Sequence, residues 1–220
     1  MYKRQLVYKP QFALVLPLLL LVTGNWRAIV GGAISSLWLI ALVYGIWGWP
    51  VWQAFIDSLP LTRSVVLEAG TTGWEKIMSP FSAVRGLGGG IDLAYAVQAV
   101  ASVIAISASL WVARAGRPDL RNAAVTAAVL IATPYVLDYD FVVVLAGIAF
   151  LWRDAVRHGW LTWEKSLLVV VWVAPLVARN LAAMILIPLG LTTAIIILGL
   201  AVRRTLRASP SHHLREASGQ

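Results

Sequence analysis

The chain has 220 residues, 60% of them hydrophobic and 13% charged, with a mean hydropathy of +0.79, a balance that excludes a water-soluble domain of this length. The formal net charge of +8 does not indicate a nucleic-acid partner, because the basic residues stand in short clusters at the ends of apolar runs, the pattern that orients a membrane protein. There is no cysteine, which removes disulfides, thiolate metal sites and cysteine nucleophiles, and His158, His212 and His213 lack metal-ligand spacing, so no metal site is expected.

The expected fold class is all-α: a polytopic membrane protein with about seven transmembrane or half-membrane helices, occupying residues 1–207, since a spanning helix needs about 20 mostly apolar residues. The start, MYKRQLVYKPQ, lacks the pattern of a signal peptide. A short apolar segment at 11–24 is followed by a full-length one at 28–48, whose small residues suit helix packing. The pattern then stops. From Trp49 to Gly90 the chain carries Pro50, Pro60 and Pro80, the stretches GTTG and GLGGG, and Arg63, Lys76 and Arg85. This reads as an extramembrane loop with short interfacial helices, Val51, Trp52, Phe55, Ile56 and Leu59 sharing one face.

A third helix is expected from Ile91 to about Ala113, ending in a basic turn that holds Arg114, Arg117 and Arg121. The apolar tract 122–152 ends at a second basic turn, 153–165. Two further segments, 166–178 and 181–202, flank Arg179 and Asn180, which read as the last turn, and RRTLR leads into a polar tail at 208–220 that is expected to be disordered.

Positive residues concentrate on the cytoplasmic side, which places the basic turns and the C-terminus there. With both ends cytoplasmic, the 122–152 tract must go in and come back, as two half-length helices joined at TPYVLDYD. Pro134 supports the break, because proline removes a backbone donor and biases Thr133 away from the helical region. Asp138 and Asp140 then lie near the opposite, periplasmic face. Tryptophans fit two interfacial belts: Trp47, Trp49 and Trp52 on one side, Trp111, Trp152, Trp160 and Trp163 on the other.

This topology gathers Lys9, Arg63, Lys76, Arg85, Arg179, Asp138 and Asp140 on one face. Cations beside an apolar wall suit a lipid phosphate, and carboxylates suit sugar hydroxyls or proton removal. Structural roles stand beside each reading. The two acids also suit capping of the returning helix or pairing with Arg179, Lys9 suits snorkelling, Arg63 and Lys76 suit a solvated loop, GLGGG suits a hinge, and Arg179 suits a helix-end anchor.

The stretches YKPQFALVLPLLLLVTGNWRA, PFSAVRGLGGG and ATPYVLDYDFVVVLAGIAFL resemble, in that order, the C-terminal half of glycosyltransferase family 87, polytopic enzymes of the C-type glycosyltransferase superfamily. The resemblance runs from about Tyr8 to Arg207. It implies transfer of a hexose, mannose in the polyprenol-phosphate-mannose-dependent members, from a polyprenyl-phosphate carrier to a glycan or glycolipid acceptor at the periplasmic face of a bacterial inner membrane, with inversion and without a nucleotide sugar or other cofactor. Thr133, Pro134 and Asp138 match the family's Ser/Thr-Pro-plus-acid motif, Tyr139 stands where His or Tyr occurs, Leu137 replaces a common Trp, Lys9 and Pro10 match a Lys-Pro pair, and Arg85 matches an Arg before a Gly-rich turn. The resemblance thus implies roles for Asp138, Lys9, Arg85 and Tyr139, and the topology adds Asp140, Arg63 and Arg179, so that the expected site has Asp138 and Asp140 as auxiliary catalytic groups and Lys9, Arg63, Arg85, Tyr139 and Arg179 at the substrate. It also implies that the principal catalytic carboxylate belongs to an early loop outside this chain, so that the chain is expected to be a fragment. A small transporter or flippase, for which the broken tract with intramembrane acids argues, and a non-catalytic membrane scaffold are the alternatives.

Overall fold

The computed structural model describes residues 15–185 and 188–208; Lys9, Pro10 and the polar tail beyond Ala208 lie outside the described residues. Among the described residues nine α-helices follow one another: α1 (Val15–Val22), α2 (Trp26–Trp47), α3 (Trp49–Leu61), α4 (Pro80–Gly86), α5 (Ile91–Ala115), α6 (Pro118–Ile131), α7 (Val144–His158), α8 (Glu164–Ile185) and α9 (Leu189–Ala208). A π-helix, Thr62–Glu68, continues α3, and 3-10 turns at Trp74–Lys76 and Asp138–Val143 lead toward α4 and α7. Among the described residues four helices are long and apolar enough to cross a membrane: α2, α5, α8 as far as Ala182, and α9. The all-α membrane architecture read from the sequence is the one observed.

The core forms around α6, because its alanines let neighbours approach closely. Ala123, Ala124, Ala127 and Ala128 are buried together with Leu120, Leu130 and Ile131, and α5, α7 and α9 pack around them. Helix α2 is the opposite case. None of its residues is buried, and a helix apolar on all sides fits contact with lipid, where its backbone groups are satisfied internally.

The 122–152 tract does turn back. Arg153 reaches Asp119, and Gly147 lies against Thr126 and Ile197, so α6 and α7 run antiparallel. Helix α6 ends at Ile131 and the chain stays extended or bent through Leu137, around Pro134, as expected of a proline lacking its donor.

The two ends of this hairpin are built differently. At the end where the tract begins and closes, charged side chains are buried in a closed network. Arg117 grips Asp154 with two hydrogen bonds of 2.6 Å, Arg204 donates to Asp154 at 2.5 Å and to both oxygens of Glu164, and Arg153 binds Asp119. Asp154, Glu164 and Arg204 are buried, and Arg204 also donates to the Gly159 carbonyl at 2.7 Å. These contacts tie the α5–α6 turn to α7, α8 and α9. The cations that read as orientation signals therefore have partners: Arg117, Arg153 and Arg204 are neutralised by acids on neighbouring helices.

One expected boundary moves. Helix α8 continues through Arg179 and Asn180 to Ile185, and α9 begins at Leu189 directly after Pro188. Two polar residues in an apolar run do not need a loop, because the helix satisfies its own backbone and a long Arg side chain can leave the helix end.

Candidate functional site

At the other end of the hairpin, the loop between α3 and α5 is fastened to the break after α6. Ile77 pairs with Leu137 in a single antiparallel bridge, and the Met78 N–H donates to the Val136 carbonyl at 2.8 Å. Ser79 caps α4 by accepting from the Ser82 N–H, with Pro80 at the first helical position, where its missing donor costs nothing. A helix C-terminus leaves carbonyls without intrahelical partners. Here α5 supplies them: Gln98 donates to the Ile131 carbonyl and Ser102 to that of Ala132, both at 3.0 Å. The same Gln98 accepts from the Phe81 N–H of α4 at 3.2 Å, so one buried amide holds the loop and the hairpin tip together.

Two polar groups flank this junction. The first surrounds Asp138. Its Oδ1 accepts from the Tyr139 N–H at 2.9 Å, and its Oδ2 lies 3.8 Å from Arg179 Nη1. Arg179 thus reaches across from α8 to the break, which brings together two of the residues predicted for a site. Tyr139 is exposed beside them. Asp140 is buried, and its Oδ2 accepts from the Leu137 N–H at 2.9 Å, the capping role that its position three residues on from Leu137 favours.

The second group surrounds Glu68, which the sequence reading did not single out. Its Oε1 accepts from Arg63 Nε at 2.7 Å and from the Tyr95 hydroxyl at 2.9 Å. These hydrogen bonds, Tyr95 first and Arg63 second, hold the Glu68 carboxyl below the usual carboxylate range. The guanidinium of Arg63 also lies over the Tyr95 ring, 5.3 Å from its centre. Tyr135, in the break, is close enough that burial and the neighbouring Tyr95 push its hydroxyl up.

The π-helix explains why Arg63 and Glu68 meet. Its hydrogen bonds run between residues five apart, as in the Ala69 N–H to Ser64 carbonyl bond of 2.9 Å, so side chains five apart share a face. In an α-helix the same pair would point in different directions. The signal in the sequence was the Arg-x4-Glu spacing just after Pro60, which no α-helical or strand period rewards.

Arg85 has a different occupation. Its Nη1 donates to the Gly89 carbonyl at 2.8 Å and its Nη2 to the Glu68 carbonyl at 3.1 Å, while the guanidinium stacks over Trp74. It closes the glycine-rich turn and supports the π-helix, and Gly88 takes a φ of +85° that favours glycine there. Among the described residues, then, the predicted set divides into Asp138, Tyr139, Asp140 and Arg179 at the break and Arg63 and Arg85 about Glu68 in the loop.

A polytopic helical bundle, closed by buried ion pairs at one end and carrying solvent-exposed ion pairs beside a broken helical hairpin at the other, defines a membrane protein with a polar end. The chain belongs to glycosyltransferase family 87: the family model matches residues 6–137, from before α1 through the break after α6. The family is one of membrane glycosyltransferases. The match ends one residue before Asp138, short of the span to Arg207 that the sequence resemblance covered. Comparison with curated proteins and with solved structures returns no match.

Proposed function

We propose that the chain is part of a membrane enzyme that moves a hexose, mannose by the family resemblance, from a polyprenyl-phosphate carrier to a glycan or glycolipid acceptor on the periplasmic face of a bacterial inner membrane. The basic end of the bundle and the C-terminus are then cytoplasmic. In this reading the acceptor oxygen bonds to the anomeric carbon as the sugar–phosphate bond breaks, the hydroxyl proton leaves to a carboxylate, and polyprenyl phosphate departs. Asp138 is the auxiliary carboxylate, with Arg179 and Tyr139 at the substrate; Asp140 supports the backbone that presents them.

The observation that carries the reading is the meeting of Asp138 with Arg179, 3.8 Å apart at the break of the hairpin, in a chain of this family. A cation beside a carboxylate at the edge of an apolar bundle suits a phosphate leaving group on one side and a sugar hydroxyl on the other. The test is transfer by membranes carrying the product of the full-length gene, supplied with defined polyprenyl-phosphate hexoses. Asp138→Asn is expected to lower turnover by about a hundredfold at unchanged protein level. Equal turnover in the variant retires Asp138, and absence of transfer by the wild type from every such donor removes the reading.

A further inference from the structure

The turn between α7 and α8 carries two cations that no acid answers. From within, the turn is pinned by the buried Arg204–Glu164 pair: the Gly159 carbonyl accepts from Arg204 at 2.7 Å, and the Leu161 N–H donates to Glu164 Oε2 at 2.9 Å. On its outer side Lys165 Nζ lies over the Trp160 ring, 5.2 Å from the centre, and Arg203 Nη1 donates to the Thr162 carbonyl at 2.9 Å. The acids of this end are already taken, Asp154 by Arg117 and Arg204, Glu164 by Arg204 and Asp119 by Arg153, so among the described residues neither Lys165 nor Arg203 has an acid partner. Two further features of the turn do not serve the fold. Lys165 stands in the first turn of α8, where the helix dipole disfavours a cation. Trp163 holds a φ of +66°, a left-handed conformation that a glycine takes freely and a bulky residue only under strain, and it is 75% exposed. Such strain persists at ligand clamps, and here it sets an indole on the outer surface of the turn that holds both cations. Beyond Lys165 the same face of α8 continues as an apolar track: Val169, Trp172 and Leu176 follow about one, two and three helical turns on, and all are exposed.

We propose that this turn binds an anionic glycerophospholipid of the bilayer leaflet at the ion-paired end: Lys165 and Arg203 take the phosphate, the Trp163 indole sits at headgroup level, and an acyl chain lies along the α8 track. The site stands at the opposite end of the hairpin from Asp138 and Arg179, and its lipid is a ligand of the bundle that takes no part in sugar transfer. A free phosphate needs no apolar track, and a zwitterionic lipid brings a cation of its own to a turn that already holds two. Basic residues that merely orient a helix end have no fixed geometry. These two are held, one on a tryptophan ring and one on a carbonyl, so little side-chain entropy is left to lose when an anion binds.

The test is native mass spectrometry of the purified protein in a non-ionic detergent, titrated with dioleoyl phosphatidylglycerol, dioleoyl phosphatidylcholine and glycerol 3-phosphate. The wild type is expected to hold phosphatidylglycerol about thirtyfold more tightly than phosphatidylcholine, at about fivefold for each cation near the phosphate. Lys165→Gln and Arg203→Gln each cut that preference about fivefold, and the double variant abolishes it. Lys165→Arg keeps the charge and retains the preference. Arg114→Gln removes an exposed cation at the end of α5, away from the turn, and leaves the preference unchanged. Trp163→Gly relieves the left-handed strain, so it keeps or raises the melting midpoint while weakening both lipids. A lower midpoint with unchanged lipid affinity assigns Trp163 to the fold and overturns its place in the site. Equal affinity for the two lipids overturns the site, as does a loss in Arg114→Gln as large as that in Lys165→Gln, which means diffuse surface charge. Glycerol 3-phosphate that displaces phosphatidylglycerol at equal concentration makes the turn a free-anion site and overturns the lipid assignment.

Discussion

Arg204 and Arg63 are the same residue type put to opposite uses. At one end of the bundle the Arg204 side chain is 2% exposed and hydrogen-bonded to Asp154, Glu164 and the Gly159 carbonyl; at the other the Arg63 side chain is 64% exposed, with one nitrogen engaged. A buried ion pair adds little net stability over apolar packing, yet removing one partner leaves a charge in a medium that cannot solvate it. The first arrangement therefore fixes which helices meet and in what register. The second leaves charge exposed to solvent at almost no cost to the fold, because exposed pairs contribute little.

The contrast breaks most easily at Arg204. Arg204→Met leaves Glu164 with no cation and Asp154 with Arg117 and His158 only, and is expected to cost about 3–5 kcal/mol, read as the shift in unfolding midpoint in detergent. A loss under about 1 kcal/mol, the level of exposed pairs, would erase the difference between the ends. Asp138→Asn sharpens it from the other side. Its partner Arg179 is more than half exposed, so the variant is expected to lose less than about 1 kcal/mol of stability. Transfer activity and melting should then separate at this position and move together at Arg204.

The smallest expected effect is with pH. The Glu68 carboxyl is held down by Tyr95 and Arg63, so the tie is fully present above the ordinary value of about 4.3 and is lost only as pH falls through the lower folded value. The stability that this tie contributes, read as the difference in unfolding midpoint between wild type and Glu68→Ala, should be flat from about pH 7 to 5 and shrink only below about 4.3. A midpoint above that value means that Arg63 and Tyr95 do not stabilise the anion.

The hairpin was legible in the sequence because two basic turns flank an apolar tract that contains Pro134. The physical reason was legible only by halves. Asp119 and Asp154 sit in the same basic turns, but their pairing with Arg153 and Arg117 depends on the register of α6 against α7, which no local spacing encodes. Glu68 stayed hidden because the reading weighed cations and helical periods, and its partner lies one π-turn away. Arg179 was found for its charge and misplaced at a turn, since backbone pairing inside α8 does not depend on the polarity of the side chain. Arg85 was expected at a substrate, and its hydrogen bonds go to the Gly89 and Glu68 carbonyls of the loop itself.

Gln98 joins the two halves of the polar end. Its carbonyl oxygen holds the start of α4 and its amide the end of α6, while the helix that carries it runs on to the ion-paired end. Because a side-chain amide bonded on both faces cannot turn without breaking one contact, the loop and the hairpin tip are clamped to a common strut. The loop before α4 and the break after α6 therefore depend on a single side chain of α5, and its loss would release both at once.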